Sequence, residues 1–274
     1  MIATPVSSHF DLAAKALSAG KHVMVEKPLT ATSAQAERLI ELAAANHRVL
    51  MVDHTFVYTS AVRKIRQLID GGELGQVYYY DSVRINLGLF QSDVNVLWDL
   101  AVHDLSILNY VLARTPVAVS ATGMCHVPGE PENIAYLTLF FADTLLAHIH
   151  VNWLAPVKIR RTLIGGSRKM IVYDDLEGSE KLKVYDKGVS VNQHPEAIYQ
   201  MKVNYRSGDM LAPQLDNSEA LRVEAREFVE CIQTGRRPLT DGEAGLRVVQ
   251  TLEAAEKSIA QRGALIELAK GAGA

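Results

Sequence analysis

Two short stretches hold residue types that could move a proton or stabilise charge. The first is His22-Val23-Met24-Val25-Glu26-Lys27-Pro28. Its apolar run has strand character and ends abruptly in a carboxylate, an ammonium and a proline. Proline lacks a backbone donor and biases the residue before it towards extended geometry, so the strand must stop at Lys27. In a wound α/β sheet, ligands bind at the carboxyl ends of strands. A lysine there could orient a cofactor, move a proton or stabilise a developing oxyanion. An ordinary strand end with a solvated Glu-Lys pair is the competing explanation. The second stretch runs from Val94 through Asn95, Asp99 and His103 to Asp104. Read as a helix, it places Asp99 and His103 at i and i+4 on one face. The carboxylate could then hold the imidazole tautomer and position a proton-transfer group near neutral pH. A helix-start aspartate and a core histidine sharing a face by chance would look the same. A metal site finds no third ligand at convincing spacing. His148 and His150 alternate along a strand, as structural residues on one face do.

The elements that must carry these residues fall into two groups. Ile2-Ala3-Thr4-Pro5 reads as the end of a strand. Ser8 starts a helix with Asp11 in capping-box register, Leu12, Ala13, Ala16 and Leu17 form its stripe, and Gly20 closes it. The Val23 strand follows, then a helix over about 32–46 with Ala36, Leu39, Ile40, Ala43 and Ala44 on one face, then a strand at Val49–Val52. Strand, helix, strand, helix, strand is a pair of βαβ units, hence parallel sheet. After Asp53 the pattern changes. A helix at 60–70 stops at Gly71-Gly72, a tyrosine- and valine-rich strand spans 76–86, and an apolar helix spans 97–112. Strands are expected at 118–125, 134–141, 145–153, 158–164 and 169–173, with Gly165-Gly166 as a hairpin turn between the last two. Consecutive strands with short turns imply a mostly antiparallel sheet. Residues 176–217 are poorly patterned and read as loop with short strand pieces. Two helices close the chain. One has Leu221, Ala225, Phe228, Val229 and Ile232 on a face. The other has a Thr240…Glu243 capping box with Leu246, Val249, Leu252, Ala255 and Ile259 inside.

The fold class is therefore α/β plus α+β: a truncated Rossmann-type parallel unit, then a domain with a large, open, mostly antiparallel sheet. The boundary falls at 54/55, giving a partial dinucleotide-binding unit at 1–54 and a substrate and oligomerisation domain at 55–274. A chain of 274 residues buries roughly three quarters of its unfolded surface, so no disulfide or metal staple is needed. Lys plus Arg number 28 against 31 Asp plus Glu, a net charge of −3, so nothing points to nucleic acid. Cys125 and Cys231 lie far apart without CxxC spacing and read as small core residues in a reducing compartment. No apolar run is long enough to cross a bilayer and none follows a signal-like start. The expectation is a cytoplasmic protein with no membrane partner.

Taken together and in order, Ala3-Thr4-Pro5, Gly20-Lys21-His22…Glu26-Lys27-Pro28 and Asp99…His103 resemble the glucose–fructose oxidoreductase/inositol dehydrogenase (Gfo/Idh/MocA) family, over about residues 1–260. Within it, Leu87-Gly88-Leu89-Phe90, Asn95 to Leu100, Lys158 to Arg161 and Lys169 to Asp175 look most like bacterial UDP-N-acetylglucosaminuronic acid 3-dehydrogenases of surface-polysaccharide pathways. The resemblance implies hydride transfer from a sugar or nucleotide-sugar hydroxyl to NAD, the choice against NADP being left open. It makes Lys27, His103 and Asp99 the catalytic set, with His103 as general base. It places Thr4, Pro5, His9, Glu26, Lys27 and Trp153 at the cofactor. Lys27, Asn95, Asp99 and His103 would meet the sugar. It also implies a homodimer or homotetramer built through the large sheet. Chemically, Lys158, Arg160 and Arg161 could grip a diphosphate or uronate, although an exposed charged strand edge reads equally well. The family opens with a GxGxxG turn that cradles the pyrophosphate, and this sequence contains none. Met1 falls where the fourth strand would stand, so about two ~30-residue βαβ units are expected to be absent. A non-catalytic sugar-nucleotide binding or assembly protein, and a metal-dependent lyase or hydrolase, are the alternatives from other classes.

Overall fold

The structure, a computed structural model, describes residues 1–88, 94–191, 203–206 and 208–268. Leu89 and Phe90, which carry part of the resemblance, lie outside the described residues. So does much of the poorly patterned stretch, at 192–202 and 207.

The first group of elements packs as expected. Strand β1 (Val23–Glu26) pairs in parallel with β2 (Leu50–Asp53), Glu26 standing opposite Asp53. Ile2 bridges to Val25, also in parallel, so three chain segments lie side by side. Helix α1 (His9–Ser18) buries Ala13 and Leu17, and α2 (Ser33–Ala45) buries Ala36, Leu39 and Ala43. Gly20 takes φ of 70°, a left-handed conformation that costs a glycine little, and turns the chain from α1 into β1. Thr32 caps α2 by accepting from the Gln35 backbone N–H. Ser8 does not cap α1. Its hydroxyl donates to the Pro5 carbonyl inside a 3₁₀ turn, Val6–Ser8, which supplies the helix start instead.

The second group forms one nine-stranded sheet. Helix α3 (Ser60–Asp70) leads into β3 (Val77–Leu87). A turn of π-helix (Leu97–Ala101) runs into α4 (Val102–Leu112). Then come β4 (Ala118–Met124), β5 (Ile134–Phe140), β6 (Leu146–Asn152), β7 (Leu154–Gly166), β8 (Met170–Asp174) and β9 (Leu182–Tyr185). A separate hairpin, β10 (Gly188–Val191) with β11 (Val203–Arg206), and the short β12 (Met210–Leu211) follow. Helices α5 (Ala220–Thr234) and α6 (Gly242–Ala260) and strand β13 (Ile266–Glu267) complete the chain. The sheet order is β12-β9-β8-β7-β3-β6-β5-β4-β13, antiparallel throughout except for the parallel pair β3/β6. One face is buried: Tyr80 and Ser82 on β3, Leu137 on β5, and Ala147 and Ile149 on β6. The opposite face carries Tyr79, Tyr136 and His148, all well exposed.

Four local expectations are corrected. Gly165 and Gly166 are not the hairpin turn but the end of β7, the turn itself being Ser167-Arg168. They are glycines because a Cβ at Gly165 would collide with the Tyr79 ring, and one at Gly166 with the Leu74 backbone. The α6 cap is Asp241, which accepts from the Ala244 N–H, while the Thr240 hydroxyl is spent on the Val52 carbonyl at 2.6 Å. Helix α5 buries Glu224, Glu227 and Cys231 rather than the Leu221–Val229 stripe, both of whose named leucine and valine are half exposed. Cys231 is buried as expected, but Cys125 is only part-buried, its thiol donating to the Val127 carbonyl. Among the described residues no helix is long and apolar enough to cross a membrane.

Helix α6 ties the two groups together. Gly245 lets it approach the first: a Cβ there would stand 2.7 Å from Val52 and 3.0 Å from Leu29. Further along, the Ser258 hydroxyl accepts from the Ala121 N–H on β4.

Candidate active site

The strand rim and the π-helical turn meet. The Lys27 ammonium donates to the Asp99 carbonyl at 2.9 Å and to its Oδ1 at 3.3 Å, with both side chains about one fifth exposed. Asp99 Oδ2 accepts from the Trp153 indole N–H at 3.0 Å. Asp99 is thus held from two sides, by a cation from the first group of elements and a tryptophan from the sheet. The Lys27–Pro28 peptide bond is cis.

His103 is close to this pair, but Asp99 does not bond to it. Asp99 stands in the π turn, whose wider winding removes the simple i, i+4 superposition of an α-helix. The Asp99 carboxylate is engaged by Lys27 and Trp153, and His103 Nδ1 has no hydrogen bond among the described residues. The imidazole is set instead by an aromatic contact, edge-on to Phe56 with ring centroids 5.1 Å apart. Arg84 lies over the same Phe56 ring at 4.5 Å and Arg160 at 5.7 Å. Burial, then the charges of Arg84 and Lys27, hold the His103 pKa well below its ordinary value. At neutral pH the ring is therefore uncharged, the form in which it can accept a proton.

Beneath the histidine lies a buried ion pair absent from the sequence reading. Arg84 Nε donates to Asp104 Oδ2 at 2.6 Å, both groups almost fully buried, and the Ser82 hydroxyl donates to Asp104 Oδ1. The signal was there in part. Tyr80, Ser82 and Arg84 share one strand face at period two, so an apolar, inward Tyr80 also places the arginine inward.

Other expected site residues take different places. Asn95 is buried and caps the turn, its Oδ1 accepting from the Leu97 and Trp98 N–H groups while its amide donates to Glu132 and Glu256. That leaves it no free polar atom for a sugar. His9 is 1% exposed, and its two ring nitrogens bond the carbonyls of Pro28 and Thr4 at 2.9 and 2.8 Å. It braces the rim rather than facing a cofactor. Thr4 and Pro5 are exposed beside it. Trp153 is 1% exposed and its indole N–H is directed at Asp99. Arg160 and Arg161 point to opposite faces of β7. Arg160 pairs with Arg84 across the strands and bonds Asp175, whereas Arg161 pairs with Val83 and bonds Asp174. A single ligand on the Phe56 side meets Arg160 and not Arg161, while Lys158, beside a break in the β7 register, lines a shallow cleft with Arg161 and Asp174.

At the other side of the strand ends the charge is reversed. Glu26, Asp53 and Glu224 lie together, Glu224 fully buried against the ends of β1 and β2. Burial first, then the Asp53 charge, push the Glu224 carboxyl up to about 10, and the same two causes raise Glu26. His54, between the two clusters, is buried and pushed down to about 4 by desolvation.

The strand rim fits the nicotinamide end of a dinucleotide: an exposed Thr4-Pro5 edge, the β1 terminus and a fixed ammonium. The GxGxxG turn that would hold the pyrophosphate end does not occur in this sequence.

Two family models match, in order. Residues 1–54 match an oxidoreductase family with an NAD-binding Rossmann fold (GFO_IDH_MocA), and residues 62–172 match a GFO/IDH/MocA C-terminal domain. The UDP-N-acetylglucosamine 3-dehydrogenase of Acidithiobacillus ferrooxidans is 27% identical over 250 residues, covering 90% of this chain and 74% of that one. Its solved structure superposes with a TM-score of 0.79 over 94% of this chain and 77% of that one, at 25% identity. The scyllo-inositol 2-dehydrogenase (NAD(+)) of Bacillus subtilis is 26% identical over 90% of this chain and 71% of its own.

Proposed function

Because the chain belongs to the Gfo/Idh/MocA family of oxidoreductases, we propose that it serves the oxidation of a sugar CH–OH group with NAD, the sugar carried on a nucleotide and C3 the reacting carbon. The observation that carries this reading is the hydrogen bond of 2.9 Å from the Lys27 ammonium, at the strand rim, to the Asp99 carbonyl in the turn that leads to His103. NAD, when bound, supplies the hydride acceptor. His103, uncharged at neutral pH, takes the hydroxyl proton. Lys27 stabilises the negative charge that grows on the same oxygen. Asp99 keeps the ammonium aimed, and Trp153 keeps Asp99 in place. Thr4, Pro5 and Glu26 border the nicotinamide end. Arg160 faces the diphosphate or carboxylate of the substrate, its guanidinium fixed by Asp175. On this reading residues 1–54 serve the cofactor and residues 55–274 the substrate, with the open sheet face joining copies into a homodimer or homotetramer in the cytoplasm.

The relative's substrate is the first to test. NADH formation is followed with UDP-N-acetylglucosamine and its uronate, in the chain as it stands and in Lys27→Ala and His103→Ala variants. NADH binding is followed in parallel by fluorescence. Expected are turnover with at least one sugar and a loss of about 10²–10⁴-fold in His103→Ala with the melting temperature retained. Normal turnover in both variants would discard the site assignment. No NADH signal at millimolar cofactor would favour a non-catalytic sugar-nucleotide binding protein.

A further inference from the structure

Behind the His103 helix a cleft of about 550 Å³ opens between α3, α4 and the start of α6, reaching the end of β2 at His54. Three arginines line it, Arg66, Arg114 and Arg247, against one carboxylate, Asp70. Arg66 is already fixed by Asp70 at 2.6 Å and by the Tyr110 carbonyl at 2.8 Å, and Arg114 is tethered to Asp143. Arg247 has no ion pair or side-chain hydrogen bond among the described residues. The floor is His54, 1% exposed, with neither ring nitrogen hydrogen-bonded among the described residues.

A buried polar ring without a partner is costly unless something in its cleft bonds it. With Arg66 paired to Asp70 and Arg114 to Asp143, the charge of Arg247 is left over, which favours an anion. Two of the guanidiniums are held in place in advance, so little side-chain entropy is lost on binding. Val57 and Tyr110 give one wall an apolar surface, and the volume is that of a small-ligand site. We propose that this cleft binds a small phosphomonoester with an apolar body, its phosphate held by Arg247 and Arg66 and by the His54 N–H. Near neutral pH the His54 ring is uncharged, so it offers one donor and one acceptor rather than repelling the arginines. The cleft also touches the site just described: Ser106 lines it, and its hydroxyl donates to the His103 carbonyl at 2.7 Å.

The test reads binding, not turnover, so it stands or falls apart from the dehydrogenase reading. The full chain is melted with phenyl phosphate or inorganic phosphate at matched ionic strength. Specific binding raises the melting temperature saturably, as ligand taken up only by the folded form must. Expected are a larger rise with phenyl phosphate than with phosphate, at least a tenfold weaker midpoint in Arg247→Gln, and an unchanged midpoint in Lys27→Ala. Ala244→Leu, which fills the cleft without removing charge, should weaken phenyl phosphate more than phosphate. The histidine NMR signal of His54 should shift on titration. Equal midpoints in wild type and Arg247→Gln, loss in Lys27→Ala instead, or no saturable rise with either probe would overturn the proposal.

Discussion

The two sides of the β1/β2 strand ends respond to burial in opposite ways. On one side Glu26, Asp53 and Glu224 crowd three carboxyls together, and Glu224 is kept protonated. On the other, Lys27, Arg84 and Arg160 crowd positive charge around His103, which is kept uncharged. Desolvation is the largest cause on both sides, and like charge adds to it. The acid goes up and the base goes down because each is pushed towards its neutral form. His54 stands between them and feels both, Asp53 raising its pKa and Lys27 lowering it. One exception separates the sides. The basic side also contains a buried ion pair, Arg84–Asp104, whereas the acidic side has no cation at its buried centre among the residues that shift Glu224. The lesson is that a site can hold an uncharged base beside three cations when each cation has its own carboxylate, the most buried of them in Arg84–Asp104.

The strongest way to break this contrast is to unpair the basic side. Asp104→Ala leaves Arg84 charged and buried, and should cost roughly 3–5 kcal/mol in urea unfolding. Replacing Arg84 by Met in the same chain should return most of that loss. Should Asp104→Ala unfold at the wild-type midpoint, the ion pair is not what neutralises the basic side.

On the acidic side the change has the opposite sign. The Glu224 pKa is raised in the folded state from 4.5 to about 10, so the folded form binds its proton more tightly than the unfolded chain. That contribution is complete below about pH 4.5 and is lost as pH rises towards 10. Glu224→Gln removes the dependence and should leave the variant more stable at pH 8, by roughly 1–3 kcal/mol. Melts across pH 5 to 9 in ~1-unit steps decide it: curves that stay parallel would mean Glu224 titrates normally.

His54 gives an effect of comparable size and sharpens the boundary. Its folded pKa is depressed to about 4, so its contribution is present above 6.5 and is lost as pH falls from there towards 4. Replacing it by Leu should flatten the acid limb by up to about 1.4 kcal/mol per pH unit within that window. An unchanged limb would assign acid sensitivity to other groups.

What was legible in the residues follows the same division between local and assembled features. The strand stop at Lys27-Pro28, the helix over about 32–46 and the strand over 76–86 are decided by neighbours in sequence, and they came through. The Asp99–His103 pairing failed because a π turn changes the winding that i, i+4 spacing assumes. Helix α5 failed because its inward face is chosen by what it lands on. Glu224 meets the Asp53 end of β2 and Glu227 accepts the Leu239 N–H, so acids go inside and Leu221 goes out. Thr240 and Asn95 have the side chains of caps or ligands, and only the assembled chain shows which backbone groups claim them. Arg84 under His103 is likewise a meeting of β3 with α4, two elements joined by no local rule.

The hydrogen bond from the Trp153 indole to Asp99 has an optical consequence. The chain has two tryptophans, and this one touches the carboxylate that also holds Lys27. Any molecule that draws the ammonium away from Asp99 must change the field across that indole. Intrinsic emission can therefore register occupancy at the strand rim without an added dye or a chemical step.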